Sequence, residues 1–432
     1  MKNLIIVLTH ACNFNCTYCY NNHNDSTINI IDAKKSVDDF VFKFQDDNKL
    51  DITFFGGEPT LCLDLIVDIK NYCQSAYPDI DWHYNMTTNL SFINQRLLNE
   101  IYLDNNFAIM ISIDGPEEMN SNRITRDGNP TFKTVYDNIL YLKKELPQER
   151  LDKISLHFTL SKDNRHHIMK LIEFAEDLNL QYVVGFVSFE NWNDISYEEF
   201  KNIFSKVIFY CSEKETTRPL RSIVLFRRIA KSFKNIYRDE PINFNTKSCG
   251  QAINQFSVDP TGNYYPCHHY SNSFLRNKET LIIGNVKTGF NNDFMKEINN
   301  LESKKINRCI ERQCPLSHWC LSFGCISDAL ERNGELSCNY ETDKAILKHI
   351  FTLFEEVFYT FNFEEYKLFY TDFLGLSVEY IYGNELRKMH DLLNLPKKIR
   401  QNEYITDVFL EGAEEQDIEI IQNGDILYTS NN

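Results

Sequence analysis

Short runs of β-branched and aromatic residues alternate with longer amphipathic stretches through the first 190 residues of this chain. That alternation constrains the fold more than any other feature. Leu4–Thr9, Asp51–Phe55, Trp82–Thr88, Phe107–Asp114, Ile154–Leu160 and Gln181–Phe189 read as strands. Between them Ile31–Asn48, Leu63–Ala76, Gln95–Asp104, Thr131–Glu145 and Arg165–Leu178 read as helices. Consecutive β-α units put parallel strands in one sheet with helices outside, as an open sheet or a partly closed barrel. In either form the working residues sit on the loops after the strands, at their carboxyl ends.

The rest of the chain has a different texture. Helical signal at Tyr197–Glu213 and Phe226–Arg238 leads away from the sheet. Residues 241–345 are rich in Asn, Gly, Pro and Cys with weak periodicity, so bound metal is expected to hold them together. In the last segment Ile346–Phe361 reads as a helix, and Ile418–Ile421, Asn423-Gly424-Asp425 and Ile426–Tyr428 read as a hairpin. From residue 345 onward 16 acids face 7 bases, so the tail carries −9 of a total charge of −16. That balance argues against nucleic-acid and anionic-membrane partners, which call for basic surfaces. No apolar run reaches the roughly 18 residues needed to span a bilayer. The apolar stretch Leu4–Leu8 is too short for an export signal, so a cytoplasmic location is expected.

In a reducing compartment, clumped thiols point to metal or cluster ligation rather than disulfides. Of 13 cysteines, Cys62, Cys73 and Cys211 carry no spacing pattern and read as small buried hydrophobes. Cys12, Cys16 and Cys19 share one loop directly after the first strand. Three thiolates there can hold three irons of a four-iron cluster and leave the fourth iron open. A zinc ion would want a fourth ligand, for which His10 or His23 is available.

Cys12-x3-Cys16-x2-Cys19, with Tyr18 before the last Cys, resembles the signature of the radical S-adenosylmethionine (radical SAM) superfamily. Further segments match that family residue by residue. Gly56-Gly57-Glu58-Pro59 matches the motif for the SAM amino group; glycines permit close backbone approach, and a carboxylate accepts from an ammonium. Thr88-Asn89 matches a Thr-Asn-Gly element, with Leu90 in place of Gly. Ser112-Ile113-Asp114-Gly115-Pro116 resembles the element near the SAM ribose and carboxylate. Arg123 falls where relatives place a SAM-contacting Arg, although the His-Asp that usually precedes it reads Asn120-Ser121. The resemblance puts Tyr18, and Val184 or Phe186, near the adenine.

The later cysteines resemble the SPASM extension, which carries auxiliary clusters in part of that family. Cys249, Gly262 with Cys267, then Cys309, Cys314, Cys320, Cys325 and Cys338 follow its order. The Cys309–Cys314 and Cys320–Cys325 spacings are wider than usual. A zinc module is the rival reading. By family interleaving, Cys309, Cys314, Cys320 and Cys338 hold the distal cluster, and Cys249, Cys267 and Cys325 hold a nearer one with an open iron. A substrate thiolate, His268 or His269 could fill that position. The resemblance therefore implies an α/β chain in three parts: a partial (β/α)6 TIM-like barrel over 1–235, a SPASM domain over 236–345 and an acidic helical and hairpin extension over 346–432. It implies SAM and three 4Fe-4S clusters, and an electron donor such as flavodoxin or ferredoxin. The implied activity is hydrogen abstraction from a ribosomally made precursor peptide by a 5′-deoxyadenosyl radical, then oxidative thioether or C–C crosslinking. Sulfatase-maturating relatives are the alternative; they carry a basic Asp where this chain has His268, itself a candidate base. A zinc-binding, noncatalytic interaction module is the alternative from a different class.

Overall fold

The computed structural model describes residues 2–187, 195–224, 226, 250–271, 281–296, 349 and 353, and the strand backbones at 398–400, 419–422 and 425–429. The chain divides into two compact units. The first contains Met1–Glu190, Phe244–Ile306 and Phe323–Cys338, and the second contains Asn191–Asn243, Asn307–Ser322 and Asn339–Asn432.

The first unit is an α/β partial barrel. Its strands β1 (Lys2–Thr9), β2 (Lys49–Gly56), β3 (Asp81–Thr88), β4 (Phe107–Ser112), β5 (Ile154–Leu160) and β6 (Gln181–Phe186) are all parallel and lie in sequence order. Between them run α1 (Ile30–Lys43), α2 (Leu63–Ala76), α3 (Gln95–Leu97), α4 (Phe132–Glu145), α5 (Gln148–Leu151) and α6 (Ile168–Asp177). The local reasons for these helices are plain. Asn29 caps α1 by accepting from the Asp32 N–H, and Ala33, Ser36, Val37 and Phe40 bury the face three and four residues apart. In α6 the same spacing buries Ile168, Leu171, Ile172 and Ala175. The segment expected as one helix over Gln95–Asp104 is instead α3 followed by a π turn at Leu98–Tyr102. Buried Arg150 donates to the carbonyls of Tyr102 and Phe107 at 2.7 and 3.0 Å, locking that turn to β4.

Alternation along the strands separates two faces. Leu156, Phe158 and Leu160 on β5 are buried, and Phe158 meets Phe174 of α6, so this side faces the helices. Ser155, His157 and Thr159 point to the opposite, inner side.

The sheet does not stop at β1. Within the cysteine-rich stretch, β7 (Gln255–Val258) pairs parallel to β1, with Asn3 opposite Gln255. Strands β8 (Asn263–Tyr265), β9 (Gly284–Asn285) and β10 (Gly289–Phe290) continue antiparallel, giving ten strands in all. These strands are two to four residues long, too short to show a period in the sequence.

In the second unit, Ser196 caps α7 (Tyr197–Glu213), which is followed by α8 (Arg218–Ser222). Strands β11 (Lys398–Arg400), β12 (Glu419–Gln422) and β13 (Asp425–Thr429) form a separate sheet, in which β12 and β13 are the antiparallel pair expected of the C-terminal hairpin. The helices expected at Phe226–Arg238 and Ile346–Phe361 lie mostly outside the described residues. Cys73 and Cys211 are buried on α2 and α7, and Cys62 is half-buried. Among the described residues no helix is long and apolar enough to cross a membrane.

Candidate functional site

The Cys12–Cys19 loop leaves the carboxyl end of β1 and is pinned from both sides. On one side the Gly57 and Glu58 N–H groups donate to the carbonyls of Thr9 and Ala11, each at 2.9 Å. A Cβ on Gly56 would lie 2.3 Å from the Thr9 carbonyl oxygen, and one on Gly57 would lie 2.3 Å from that of Ala11. These glycines therefore let the β2 loop press against the backbone that leads into Cys12. On the other side Asn15 and Thr17 donate N–H bonds to the carbonyls of Ile124 and Asn122 at 2.8 and 2.9 Å. The Arg126 Nε donates to the Cys12 carbonyl at 2.7 Å.

Cys12 is buried, and Cys16 and Cys19 are half-buried. Burial pushes the Cys12 thiol up to about 12, against an opposing hydrogen bond from the Phe14 N–H. Burial also raises Cys16 and Cys19, while the Arg123 guanidinium pulls both down. The three thiols lie close enough for Cys16 and Cys19 to raise Cys12 further. Such sulfurs become good ligands when a positive centre displaces their protons. His23 Nε2 lies 3.3 Å from Cys19 Sγ, and His10 is buried behind the loop. Among the described residues no three His, Cys, Asp or Glu side chains gather closely enough to hold a single metal ion.

Glu58 is 1% exposed and spends its oxygens on the protein. Its Oε1 accepts from the Thr60 N–H and hydroxyl at 3.1 and 2.6 Å and from the Thr88 hydroxyl at 2.8 Å. Its Oε2 accepts from the Asn89 N–H at 2.6 Å. Burial raises its pKa, and these neutral donors only partly offset the rise. Glu58 thereby ties the β2 loop to the end of β3. Asn89 extends the tie, donating from Nδ2 to Asn13 Oδ1 at 2.8 Å and lying 3.7 Å from Cys12 Sγ. Leu90, at the position where the family carries Gly, has φ 49° and is 1% exposed. The left-handed turn is kept without glycine, at a cost of roughly 1–2 kcal/mol that the buried side chain offsets.

The third support is the loop after β4. Tyr18 donates its hydroxyl to Asp114 Oδ2 at 2.6 Å and accepts from Arg123 Nη1 at 2.8 Å. Asp114 is fully buried, accepts from the Thr159 N–H at 3.2 Å and lies 3.7 Å from Arg123 Nη1. Burial raises Asp114, and Arg123 is the main opposing influence. For Arg123 burial is opposed by Tyr18, Cys16 and Asp114, which together hold its pKa above the ordinary value. Arg123 Nε is buried without a hydrogen-bond partner. Asn120, where relatives carry His, accepts from the Asp114 N–H and donates to the carbonyls of Gly115 and Pro116 at 2.7 and 2.8 Å. Its loop-closing role had no signal in the sequence. Ser112 ends β4 opposite His157 on the inner face.

His157 was also missed. Burial lowers its pKa to about 4, and its Nε2 would lie 3.1 Å from a Cβ on Gly185, so the ring fills the space that this glycine leaves. Val184, expected near the adenine, pairs with Phe158 and shares its helix-facing side, as does Phe186 by strand parity. The inner face of β6 there belongs to Val183 and Gly185.

Cys267, His268 and His269 follow β8, in the same unit. His268 Nδ1 lies 3.8 Å from Cys267 Sγ, and its ring packs on Phe55 at 4.4 Å. The His269 ring stacks on Tyr20, one residue past Cys19, at 4.6 Å. Burial, and then the neighbouring His269, hold His268 well below the usual imidazole range; burial alone lowers His269 to about 4. Both rings are thus neutral and stand beside the Cys12–Cys19 loop. Cys249, Cys309, Cys314, Cys320, Cys325 and Cys338 lie outside the described residues.

Residues 6–175 match the sequence pattern of the Radical SAM superfamily. That segment is a radical SAM domain. It contains Cys12, Cys16, Cys19, Tyr18, Gly56–Pro59, Asn89, Ser112, Asp114 and Arg123. The radical SAM cyclopropyl synthase TigE of Paramaledivibacter caminithermalis is 24% identical over 294 residues, which is 63% of this chain and 59% of TigE. The uncharacterized protein MJ0907 of Methanocaldococcus jannaschii is 35% identical over 144 residues, 33% of this chain and 49% of that protein. The chain thus spans between half and three-fifths of the length of these curated relatives. In fold it resembles anSMEcpe with bound AdoMet, with a TM-score of 0.61 at 19% identity over 82% of this chain and 98% of that one. A second anSMEcpe structure, with AdoMet and the Cp18Cys peptide, gives 0.60 at 19% identity over 83% and 99%.

A radical SAM domain implies SAM and one 4Fe-4S cluster. The residues present fit both groups. The cluster has an all-sulfur donor set of mutually close thiols, one buried and two half-buried, on one braced loop. Arg123, whose Nε is orphaned, acts on Cys16, and the neutral His157 ring lies within reach of Arg123.

Proposed function

We propose that this chain is a radical SAM/SPASM enzyme that modifies a peptide or protein, forming an oxidative thioether or C–C crosslink in a ribosomally made precursor peptide. One observation carries the reading. In the turn with Cys267, His268 and His269, the His269 ring stacks on Tyr20, one residue past the Cys triad, and the His268 ring packs on Phe55 at the end of β2. One further cysteine, Cys267, and two neutral imidazoles therefore stand near the first site. The relatives supply further support: TigE is a cyclopropyl synthase, and anSMEcpe holds AdoMet together with a peptide.

Cys12, Cys16 and Cys19 hold the SAM-binding cluster, and Asn89, Ser112, Asp114, Arg123 and Tyr18 surround SAM. When bound, SAM and the reduced cluster supply a 5′-deoxyadenosyl radical that takes a hydrogen atom from the substrate residue. The chain's own residues do the rest. Glu58 and its four hydrogen bonds fix the β2 loop, and Arg123 sets positive charge beside Cys16. His268 is the candidate base for the proton that the oxidised residue releases. Cys309, Cys314, Cys320 and Cys338 hold a distal auxiliary cluster, and Cys249, Cys267 and Cys325 hold a nearer one. A flavodoxin or ferredoxin in the cytoplasm supplies electrons.

Sulfatase maturation is the second reading. It is favoured by the anSMEcpe-like fold over 82% of the chain and opposed by His268 in place of Asp.

The test is anaerobic incubation of the reconstituted chain with SAM, reductant and each short peptide found encoded in neighbouring open reading frames, followed by mass spectrometry. The expected product lacks two hydrogens and carries a bond that survives thiol reduction. An unmodified peptide beside ongoing SAM cleavage would remove the peptide from the reading while leaving the radical chemistry.

A further inference from the structure

The amino end of the barrel, opposite the Cys12–Cys19 loop, holds a cavity of about 430 Å³. Its walls are the first residues of β2–β5 and the loops before β4 and β5, among them Lys49, Asp51, His83, Asn85, Asn106 and Lys153. That volume lies in the range of small-ligand pockets. Its floor carries an unusual group. Asp51 is 5% exposed, and its Oδ1 is buried with no hydrogen-bond partner. The cations nearby are engaged elsewhere. Lys49 Nζ lies 3.5 Å from Asp81, His83 Nε2 lies 3.1 Å from the same carboxylate, and Lys153 donates to the Asn105 carbonyl. A buried carboxylate without a donor is costly, and such groups normally acquire one. Asp51 also lines the cavity, so a donor bound there would stand beside its carboxylate.

The walls also fix the ligand's charge. Asp51 and Asp152 stand with Lys49, Lys153 and His83 around the cavity, so its walls offer partners to both an ammonium and a carboxylate. We propose that this cavity binds a small zwitterion of amino-acid size, its ammonium on Asp51 and its carboxylate toward Lys153. Five residues of extended strand, about 17 Å, separate Asp51 from Gly56, so the ligand cannot touch SAM. The site is distinct from the radical chemistry and needs no cluster.

Anaerobic calorimetry on the full chain tests this with three probes: L-alanine, ethylammonium and propionate. L-Alanine should bind saturably at one site, and ethylammonium at least tenfold more weakly. Propionate should not bind. Asp51→Asn should weaken L-alanine at least tenfold. Asn106→Trp, a change at an exposed loop position that obstructs the cavity, should do the same should Asp51→Asn fold poorly. Lys153→Met should weaken L-alanine and leave ethylammonium unchanged. No saturable L-alanine binding, binding indifferent to both Asp51→Asn and Asn106→Trp, or propionate binding as tight as L-alanine's would each overturn the proposal.

Discussion

Two carboxylates on one strand and its following loop were buried in opposite ways. Glu58, just past the carboxyl end of β2, is 1% exposed and accepts four hydrogen bonds. Asp51, near the amino end, is 5% exposed, and its Oδ1 accepts none. Burial raises both pKa values. At the carboxyl end the protein provides its own donors, so the loops that carry Cys12, Asn89 and Asp114 are set before any ligand arrives. At the amino end the protein leaves the donor out. One end of the barrel is thus preorganised, and the other is completed by what binds there.

The largest expected effect is at the preorganised end. Arg123 and Asp114 are a buried pair, with side chains 7% and 0% exposed. Arg123→Met leaves Asp114 without its cation and should cost ~3–5 kcal/mol. The urea midpoint under anaerobic conditions reads this directly; a loss below ~1 kcal/mol would mean that the pair does not brace the site.

Glu58→Gln comes next. A Gln amide presents one acceptor oxygen in place of two, so the Asn89 N–H or the Thr60 and Thr88 donors go unmet. The expected loss is ~1–3 kcal/mol by the same measurement.

Asp51→Asn should differ in sign. Removing an unpartnered charge should leave stability unchanged or raise it by up to ~1 kcal/mol at neutral pH. The pH dependence follows from linkage. Burial raises the folded-state pKa of Asp51 above 3.8, with His83 the first opposing influence. The folded chain then holds the proton more tightly than the unfolded chain. Asp51 therefore lowers stability as pH rises through its folded pKa, and the penalty disappears below its unfolded value. The advantage of Asp51→Asn should be full at neutral pH and gone by about pH 3. An Asn variant less stable than the parent at pH 7 would show that Asp51 has a donor after all, and the contrast between the two ends would fail.

Much of the carboxyl end was legible in the sequence because its signals are local. The six strands show their period, and the Cys12–Cys19, Gly56–Pro59 and Ser112–Pro116 segments each follow a strand end. The remaining features depend on pairing across the fold. Gln255–Val258 is four residues long, and only its register with β1 makes it part of the barrel sheet. Asn120 replaces a family His and closes the Asp114 loop through three hydrogen bonds that no spacing reveals. The helix-facing side of Val184 shows only once the register of its strand against β5 is known. Leu90 hides a left-handed turn because glycine, the usual sign, is absent. Asp51 looks like an ordinary strand-start acid until its lack of a partner is seen in three dimensions.

The central claim is that Cys12, Cys16 and Cys19 hold the cluster that cleaves SAM. Its most direct test is 5′-deoxyadenosine formation by the anaerobically reconstituted chain with SAM and dithionite, beside the Cys12→Ala/Cys16→Ala/Cys19→Ala variant. The parent should form 5′-deoxyadenosine, and the variant should form none. On the proposed three-cluster reading, the variant should also lose about one third of its iron. Undiminished 5′-deoxyadenosine from the triple variant would contradict the account.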